Sequence, residues 1–231
     1  MDKEINAAPS VYDAVLIHGY WLSRSNGQYN VDGFRGSLRT RLATRAGADI
    51  YNNEGPTKLV FLGAKLKGPS YPSTSELFAR ETVEKYQIPQ EDIITQDIGY
   101  GTEAEAVGFK RLAEENGWKR LGIVSFAEHE PSVKRFTPEV HVDDSGKYTE
   151  HRNIQEILRA YDHPRVADLA QLLAQSKYHY GFVMYELAKT IIMKVPGGKD
   201  WLYRKSEQAR TEKDDSKVND FITHAIDVFN S

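Results

Sequence analysis

Residues 121–136 read LGIVSFAEHEPSVKRF, and this stretch decides the fold. It opens with an apolar run, 121–124, and then changes abruptly to the polar residues around His129. A short apolar run that ends in a polar loop is typical of a strand buried in a parallel sheet. The stretch therefore predicts a strand whose carboxyl end delivers His129 to a site.

Similar runs on either side of this strand alternate with helical patterns. Alternation of this kind predicts a parallel sheet with right-handed crossovers, whose ligands bind outside the carboxyl ends of the strands. We predict an α/β fold, a Rossmann-like three-layer parallel sheet of about five strands with a C-terminal helical extension. The other predicted strands are 13–17, 58–63, 92–95 and 139–142, and the helices between them are 35–48, 73–86 and 102–116.

The sequence pattern changes after the fifth predicted strand. No strand signal follows residue 143, and helical periodicity dominates 153–174, with an interruption at 162–164, and then 178–194 and 218–229. We therefore predict a Rossmann-like domain over residues 1–150 and a helical extension over 151–231, packed on or beside it. Its helices are also candidates for a homo-oligomer face.

The composition excludes several classes of function. With 40% hydrophobic and 27% charged residues and a net charge of −3, the chain fits a globular protein and gives no sign of nucleic-acid binding. It has no cysteine, which excludes thiolate nucleophiles, disulfides and iron–sulfur clusters. The opening residues lack a signal-peptide pattern and no apolar run is long enough to span a membrane. We expect a cytoplasmic protein without a membrane partner.

The loop after the second strand combines a glycine with a helix start. Gly63 closes the strand, and Ser73 and Glu76 have the spacing of a capping box, in which the serine hydroxyl and the glutamate carboxylate each bond a backbone amide at the start of the helix. Capping alone explains both residues. The amino end of a helix is also an anion site, so Ser73, Ser75 and Glu76 are equally candidates for a binding role.

The same pattern recurs after the third strand. Thr102 and Glu105 have capping-box spacing, preceded by the glycine turn DIGYG. Gly99, Gly101 and Ala104 match a dinucleotide-binding spacing in form, but no acidic residue follows at the distance that a ribose contact requires, so a tight turn explains them better.

Arginines cluster at the helix after the first strand. Arg35 and Arg41 lie nearest its start or the long loop before it, and guanidinium groups bind phosphate or carboxylate through paired hydrogen bonds. The alternative is a solvated helix face whose arginines pair with nearby acids.

Taken in order, these segments resemble the YdcF/SanA/ElyC-like domain family over roughly residues 11–142. The resemblance implies a Rossmann-like fold and a site at positions 19, 41, 63, 75, 76, 102, 125 and 129. Two positions depart from the family pattern: Ser132 stands where arginine is usual, and Glu105 where asparagine is common, and both changes make the pocket more negative. The matching segments are DAVLIHG, RTRLA, VFLG, STSE, EDII, TEAEA, ENGWKRLGIVS and AEHEP.

These observations favour an enzyme that acts on a small anionic or phosphorylated metabolite by acid–base chemistry. In this hypothesis His129 moves a proton, and Glu76 or Glu105 orients it or acts as the base. The substrate would be held by the remaining candidates: Gly19, Arg35, Arg41, Gly63, Ser73, Ser75, Thr102 and Ser125.

The alternative is a non-catalytic module that binds a nucleotide-like ligand such as S-adenosylmethionine, because glycine turns suit close backbone approach. The spacing of His18, Glu76 and His129 does not support a metal site, and none is predicted. A third possibility is an interaction protein whose pocket is vestigial.

Overall fold

A computed structural model describes residues 11–19, 38–65, 72–98, 101–127, 129–140 and 146–174, together with 196–197, 201 and 204. The strands are β1 Ala14–Ile17, β2 Lys58–Gly63, β3 Ile93–Asp97, β4 Arg120–Ser125 and β5 Tyr148–Asn153. They form one parallel sheet in the order β3-β2-β1-β4-β5, which confirms the predicted α/β class.

The helices are α1 Leu38–Asn53, α2 Thr74–Tyr86, α3 Thr102–Asn116, α4 Glu130–Phe136, α5 Ile154–Ala160 and α6 Pro164–Ala174. They flank the sheet in two sets: α1 contacts both α2 and α5, and α3 contacts α4. The sheet and the two sets are consistent with a Rossmann-like three-layer fold.

Side-chain alternation along β1 shows which face meets which helix. Leu16 is buried in one cluster with Phe109 of α3 and Val133 of α4. Ile17 faces the opposite way, because a methyl group added at Gly47 of α1 would lie only 2.0 Å from its Cδ1 atom. Successive side chains of a strand point to opposite faces, so residue 18 shares the face of Leu16.

The strand order reverses between β1 and β4. From β1 the chain builds outward through β2 to β3, and then returns to the other side of β1 for β4 and β5. Ligands of doubly wound sheets bind where the order reverses, outside the carboxyl ends of the two strands. His18 follows β1 at this point, and its amide donates to the carbonyl of Val124 at 3.2 Å.

The fifth strand differs from the prediction. Of residues 139–142 the structure describes Glu139 and Val140, and Val140 forms an isolated antiparallel bridge to Thr149. The strand that completes the sheet is β5, which the sequence left without a strand signal. It lies across residue 150, where the domain boundary was predicted.

Polar side chains replace apolar packing along one side of β5. Arg152 donates to both carboxylate oxygens of Glu54 at 3.1 Å and to the hydroxyl of Tyr12 at 2.8 Å. Tyr12 in turn donates to Glu150. The network joins the residues before β1 and after α1 to the last strand, which explains how a polar segment pairs stably at the sheet edge.

The region beyond β5 agrees with the predicted pair of helical pieces, which are α5 and α6. The patterns at 178–194 and 218–229 fall outside the described residues. The described residues between 11 and 170 form one compact unit, and those from 171 onward belong to a second. The predicted division into a sheet domain and a helical extension stays a prediction. None of the helices described is both long and apolar enough to cross a membrane.

Candidate functional site

His18 is the residue that β1 delivers to the point where the strand order reverses. It is 1% exposed, and it follows Leu16 on the face covered by α3 and α4. Its Nδ1–H donates to the carboxylate of Glu105, which is 13% exposed. Within the residues that the structure describes, Nε2 of His18 has no hydrogen-bond partner.

Glu105 reaches His18 because α3 begins one residue before the predicted capping register. The N-cap is Gly101, with a φ of 110° that side-chain-bearing residues rarely adopt, and it makes no side-chain capping bond. Thr102 is therefore the first helical residue, and the predicted Thr102–Glu105 capping box is wrong. Both side chains are left available for other partners.

Thr102 contacts the second histidine of the site. Its Oγ1 atom and Nε2 of His129 are hydrogen-bonded at 3.2 Å, and His129 is only 7% exposed. The rings of His129 and His18 meet edge to face, with centroids 5.4 Å apart and planes at 81°. One turn of α3 therefore supplies a partner to each of two buried imidazoles, which we call the histidine pair.

The candidates at the start of α2 form a separate group. Ser73 caps the helix, accepting from the amide of Glu76 at 3.2 Å, while the Glu76 carboxylate accepts from the amide of Ser73 at 2.6 Å. This capping box is confirmed. Ser75 is fully buried and donates to the carbonyl of Gln96 at 3.2 Å. In the described part of the chain, neither Ser75 nor Glu76 bonds to the histidine pair.

The glycines of the first two strand ends are crowded by the protein itself. A methyl group at Gly63 would lie 2.2 Å from Oγ1 of Thr74, and one at Gly19 would lie 2.6 Å from the ring of Phe78. Both glycines are therefore needed for α2 to pack against the strand ends. Since Gly63 faces α2 and His18 faces α3, the predicted residues divide between the two faces of the sheet.

The remaining candidates are placed differently. Ser125 is buried at the last position of β4, beside the reversal point. The Arg41 guanidinium is 40% exposed and lies 3.9 Å from the Glu81 carboxylate, which fits the solvated-face alternative. Arg35 lies outside the described residues.

A cavity of about 430 Å³ lies at the opposite, amino edge of the strands. Its charged groups pair with one another: Asp13 accepts from Arg120 at 2.7 Å, and Asp92 from Lys58 at 2.7 Å. Burial raises the pKa of Asp13, but bonds from the Arg120 and Lys119 amides and the Arg120 guanidinium outweigh burial, so the net pKa is lowered. Among the described residues, these two pairs account for all four charged side chains that line the cavity.

The described residues contain no group of three or more histidine or acidic side chains arranged to hold a metal ion. Proton transfer is chemistry that the histidine pair can perform, because imidazole can donate or accept a proton near neutral pH.

His18 is the site residue that sequence reasoning undervalued. The signal was present, because His18 closes an apolar strand just as His129 follows one, and it has the same parity as Leu16. Its partner was hidden by the capping interpretation of Glu105.

Comparisons with family models, curated proteins and solved structures found no match for this chain.

Proposed function

We propose that this chain is an enzyme that transfers protons on a small anionic or phosphorylated metabolite at the carboxyl ends of β1 and β4. The observation that carries the proposal is the histidine pair: two buried imidazoles in edge-to-face contact, each hydrogen-bonded to a side chain of α3, at the reversal of the strand order. The resemblance to the YdcF/SanA/ElyC-like family supports a small-molecule pocket at the same strand ends.

His129 is the proposed catalytic acid or base. It stands in the loop after β4, and its bond to Thr102 fixes the orientation of the ring. A residue oriented in this way loses less freedom when it reacts, which is how a positioned side chain accelerates proton transfer, typically by about 10²–10⁴-fold.

The start of α3 supports an anionic substrate. Gly101 is the N-cap and has no side chain, so it supplies no capping oxygen to the amides of the first turn, where the positive end of the helix dipole lies. The carboxylate of Glu105, which departs from the pattern of the resembled family and adds negative charge to the pocket, is bonded to His18.

Structural roles account for three other candidates, Glu76, Gly19 and Gly63. Glu76 already serves the α2 capping box, so its catalytic role stays a prediction. Packing against Phe78 and Thr74 accounts for Gly19 and Gly63, which weakens the case that they approach a nucleotide-like ligand such as S-adenosylmethionine.

The first experiment identifies a ligand. Small molecules released on denaturing the purified full chain are analysed by mass spectrometry, and thermal shift is measured with sugar phosphates, carboxylates, nucleotides and S-adenosylmethionine. We expect an anionic compound to raise the Tm. If no anionic compound binds, the proposal fails.

The second experiment separates catalysis from binding. With the bound compound as substrate, we expect His129→Ala to lower kcat by at least about 10²-fold while binding persists. Arg111→Ala, an exposed change further along α3, is the control and should keep wild-type turnover. Binding without turnover by the wild-type chain would support the non-catalytic module instead.

A further inference from the structure

We infer that His18 is a second proton-transfer residue of this site, with Nε2 as the reacting atom and Glu105 as the positioning residue that fixes its tautomer. The inference rests on the proposed function and deepens it, because it assigns the acceptor of the proton. The sequence predicted that Glu105 orients His129 or acts as the base, and the inference makes it the residue that orients His18 instead.

The contacts of His18 determine which nitrogen can react. A carboxylate accepts hydrogen bonds and donates none, so the bond to Glu105 requires a proton on Nδ1 of His18. In the neutral ring the lone pair then lies on Nε2. A hydrogen-bonded carboxylate is the usual means of fixing an imidazole tautomer in a catalytic pair.

The second, independent observation is the state of Nε2 itself. His18 is 1% exposed, and none of the described residues bonds to its Nε2. Buried polar atoms nearly always have a partner, and an atom without one calls for a ligand or a functional explanation. A substrate hydroxyl or a bound water would supply the missing partner.

The proposed step is a single proton transfer. The O–H bond of a substrate hydroxyl or bound water breaks, its electron pair stays on the oxygen, and the proton forms a new bond to Nε2 of His18. The ring becomes an imidazolium whose charge is balanced by Glu105. The proton later returns to the product or to water, which restores the neutral ring.

The contact between His18 and His129 allows the two histidines to take different roles in proton transfer. The centroids of the two rings are 5.4 Å apart, and the proposal places one small substrate in contact with both rings. His18 takes a proton from one substrate atom, while His129 exchanges a proton at a neighbouring atom. The partner of His18 is a carboxylate and the partner of His129 is the Thr102 hydroxyl. Two imidazoles in such different surroundings suit the roles of base and acid in one reaction.

The tautomer is tested without a substrate. In the full chain labelled with ¹⁵N-histidine, we expect two-bond ¹H–¹⁵N spectra above neutral pH to show a protonated Nδ1 and a bare Nε2 for His18. Assignment uses His18→Asn, whose amide can still donate to Glu105. Glu105→Gln should shift the His18 signals, whereas Glu103→Gln, which removes a carboxylate from the same turn of α3, should not. A proton on Nε2 in the wild-type chain would overturn the inference.

Kinetics with the substrate identified above test the catalytic part. We expect His18→Asn to lower kcat by about 10²–10⁴-fold with little change in KM, and Glu105→Gln to lower it less. Circular dichroism checks that each variant is folded. If His18→Asn misfolds, the Glu105→Gln and Glu103→Gln pair decides: equal kcat values would overturn the inference.

The two proposals fail in different ways. If His129→Ala abolishes turnover and folded His18→Asn retains wild-type kcat, only the role of His18 is wrong. If the wild-type chain binds its ligand and never turns it over, the proposed function fails, and the catalytic role of His18 fails with it.

Discussion

The hydroxyl of Thr102 lies 3.2 Å from Nε2 of His129, and both residues are buried. Thr102→Val keeps the shape of the side chain and removes this partner, so we expect a loss of about 1–2 kcal/mol in the free energy of unfolding, measured by urea denaturation. Thr102→Ser retains the hydroxyl and should lose less. Equal losses for valine and serine would show that the bond contributes nothing measurable.

Gly63 permits the close approach of α2 to the end of β2. In Gly63→Ala the new methyl group would meet Oγ1 of Thr74 at 2.2 Å and the backbone nitrogen of Ser75 at 2.9 Å, so we expect a loss of about 1–3 kcal/mol by urea denaturation. Gly108→Ala is the matched control, because its neighbours are side-chain ends at 3.1 Å or more and alanine favours the helix. A larger loss for Gly108→Ala would contradict this explanation.

The role of Glu76, in capping α2 or in catalysis, can be assigned by measuring both the stability and the turnover of its variants. If it serves only the capping box, Glu76→Gln should preserve stability, since glutamine fills the same role, and Glu76→Ala should lose roughly 0.3–1.5 kcal/mol. The kcat of both variants should stay near the wild-type value. A hundredfold fall in kcat for the stable Glu76→Gln variant would instead support the catalytic role predicted from the sequence.

Asp13 should make stability depend on pH. Because the pKa of Asp13 is lowered in the folded chain, its contribution is present above the unfolded pKa, about 3.9, and is lost as the pH falls through the lower folded value. We expect Asp13→Asn to cost about 1–2 kcal/mol at pH 7, with a gap to the wild type that closes below about pH 4. Urea denaturation at several pH values measures this gap.

The control for that series is Asp168→Asn, whose side chain is 70% exposed and lies 3.7 Å from the Arg159 guanidinium. An exposed pair of this kind contributes little, so its effect should stay small at every pH. A gap for Asp13→Asn that does not change with pH would show that the carboxylate charge is not what stabilises the edge.

Arg152 neutralises two partly buried carboxylates, Glu54 and Glu150. Arg152→Met would leave them without their cation, and we expect a loss of about 3 kcal/mol by urea denaturation. The double variant Glu54→Gln/Arg152→Met removes one carboxylate as well and should be more stable than Arg152→Met alone. If it is less stable, the guanidinium acts mainly by packing.

Local signals predicted the centre of the sheet well. β2 spans Lys58–Gly63, as predicted from the apolar run at its centre, and the capping box at Ser73 fixed the start of α2. β5 was missed because Glu150 and Arg152 are satisfied by hydrogen bonds to residues far away in the sequence, Tyr12 and Glu54, which leave no apolar pattern in the strand. A strand held by long-range polar contacts cannot be recognised from local hydrophobicity.

The sequence predicted only part of the site, because it indicates the edge of the sheet at which a residue lies but not the face. Parallel strands end on one edge, and this brought His129 near Thr102 as expected from the order of the elements. The edge alone does not say which face a loop residue joins, and so Glu76 was grouped with residues across the sheet. The capping register of α3 depended on the positive φ of Gly101, a backbone property that spacing does not reveal.

Thr102 and Glu105 stand three residues apart on one rigid helix, and each serves a different imidazole. A slide or rotation of α3 would consequently be transmitted to both rings together. Evolution cannot adjust one of these contacts by moving the helix without disturbing the other, so divergence here must proceed by exchanging side chains on a fixed scaffold.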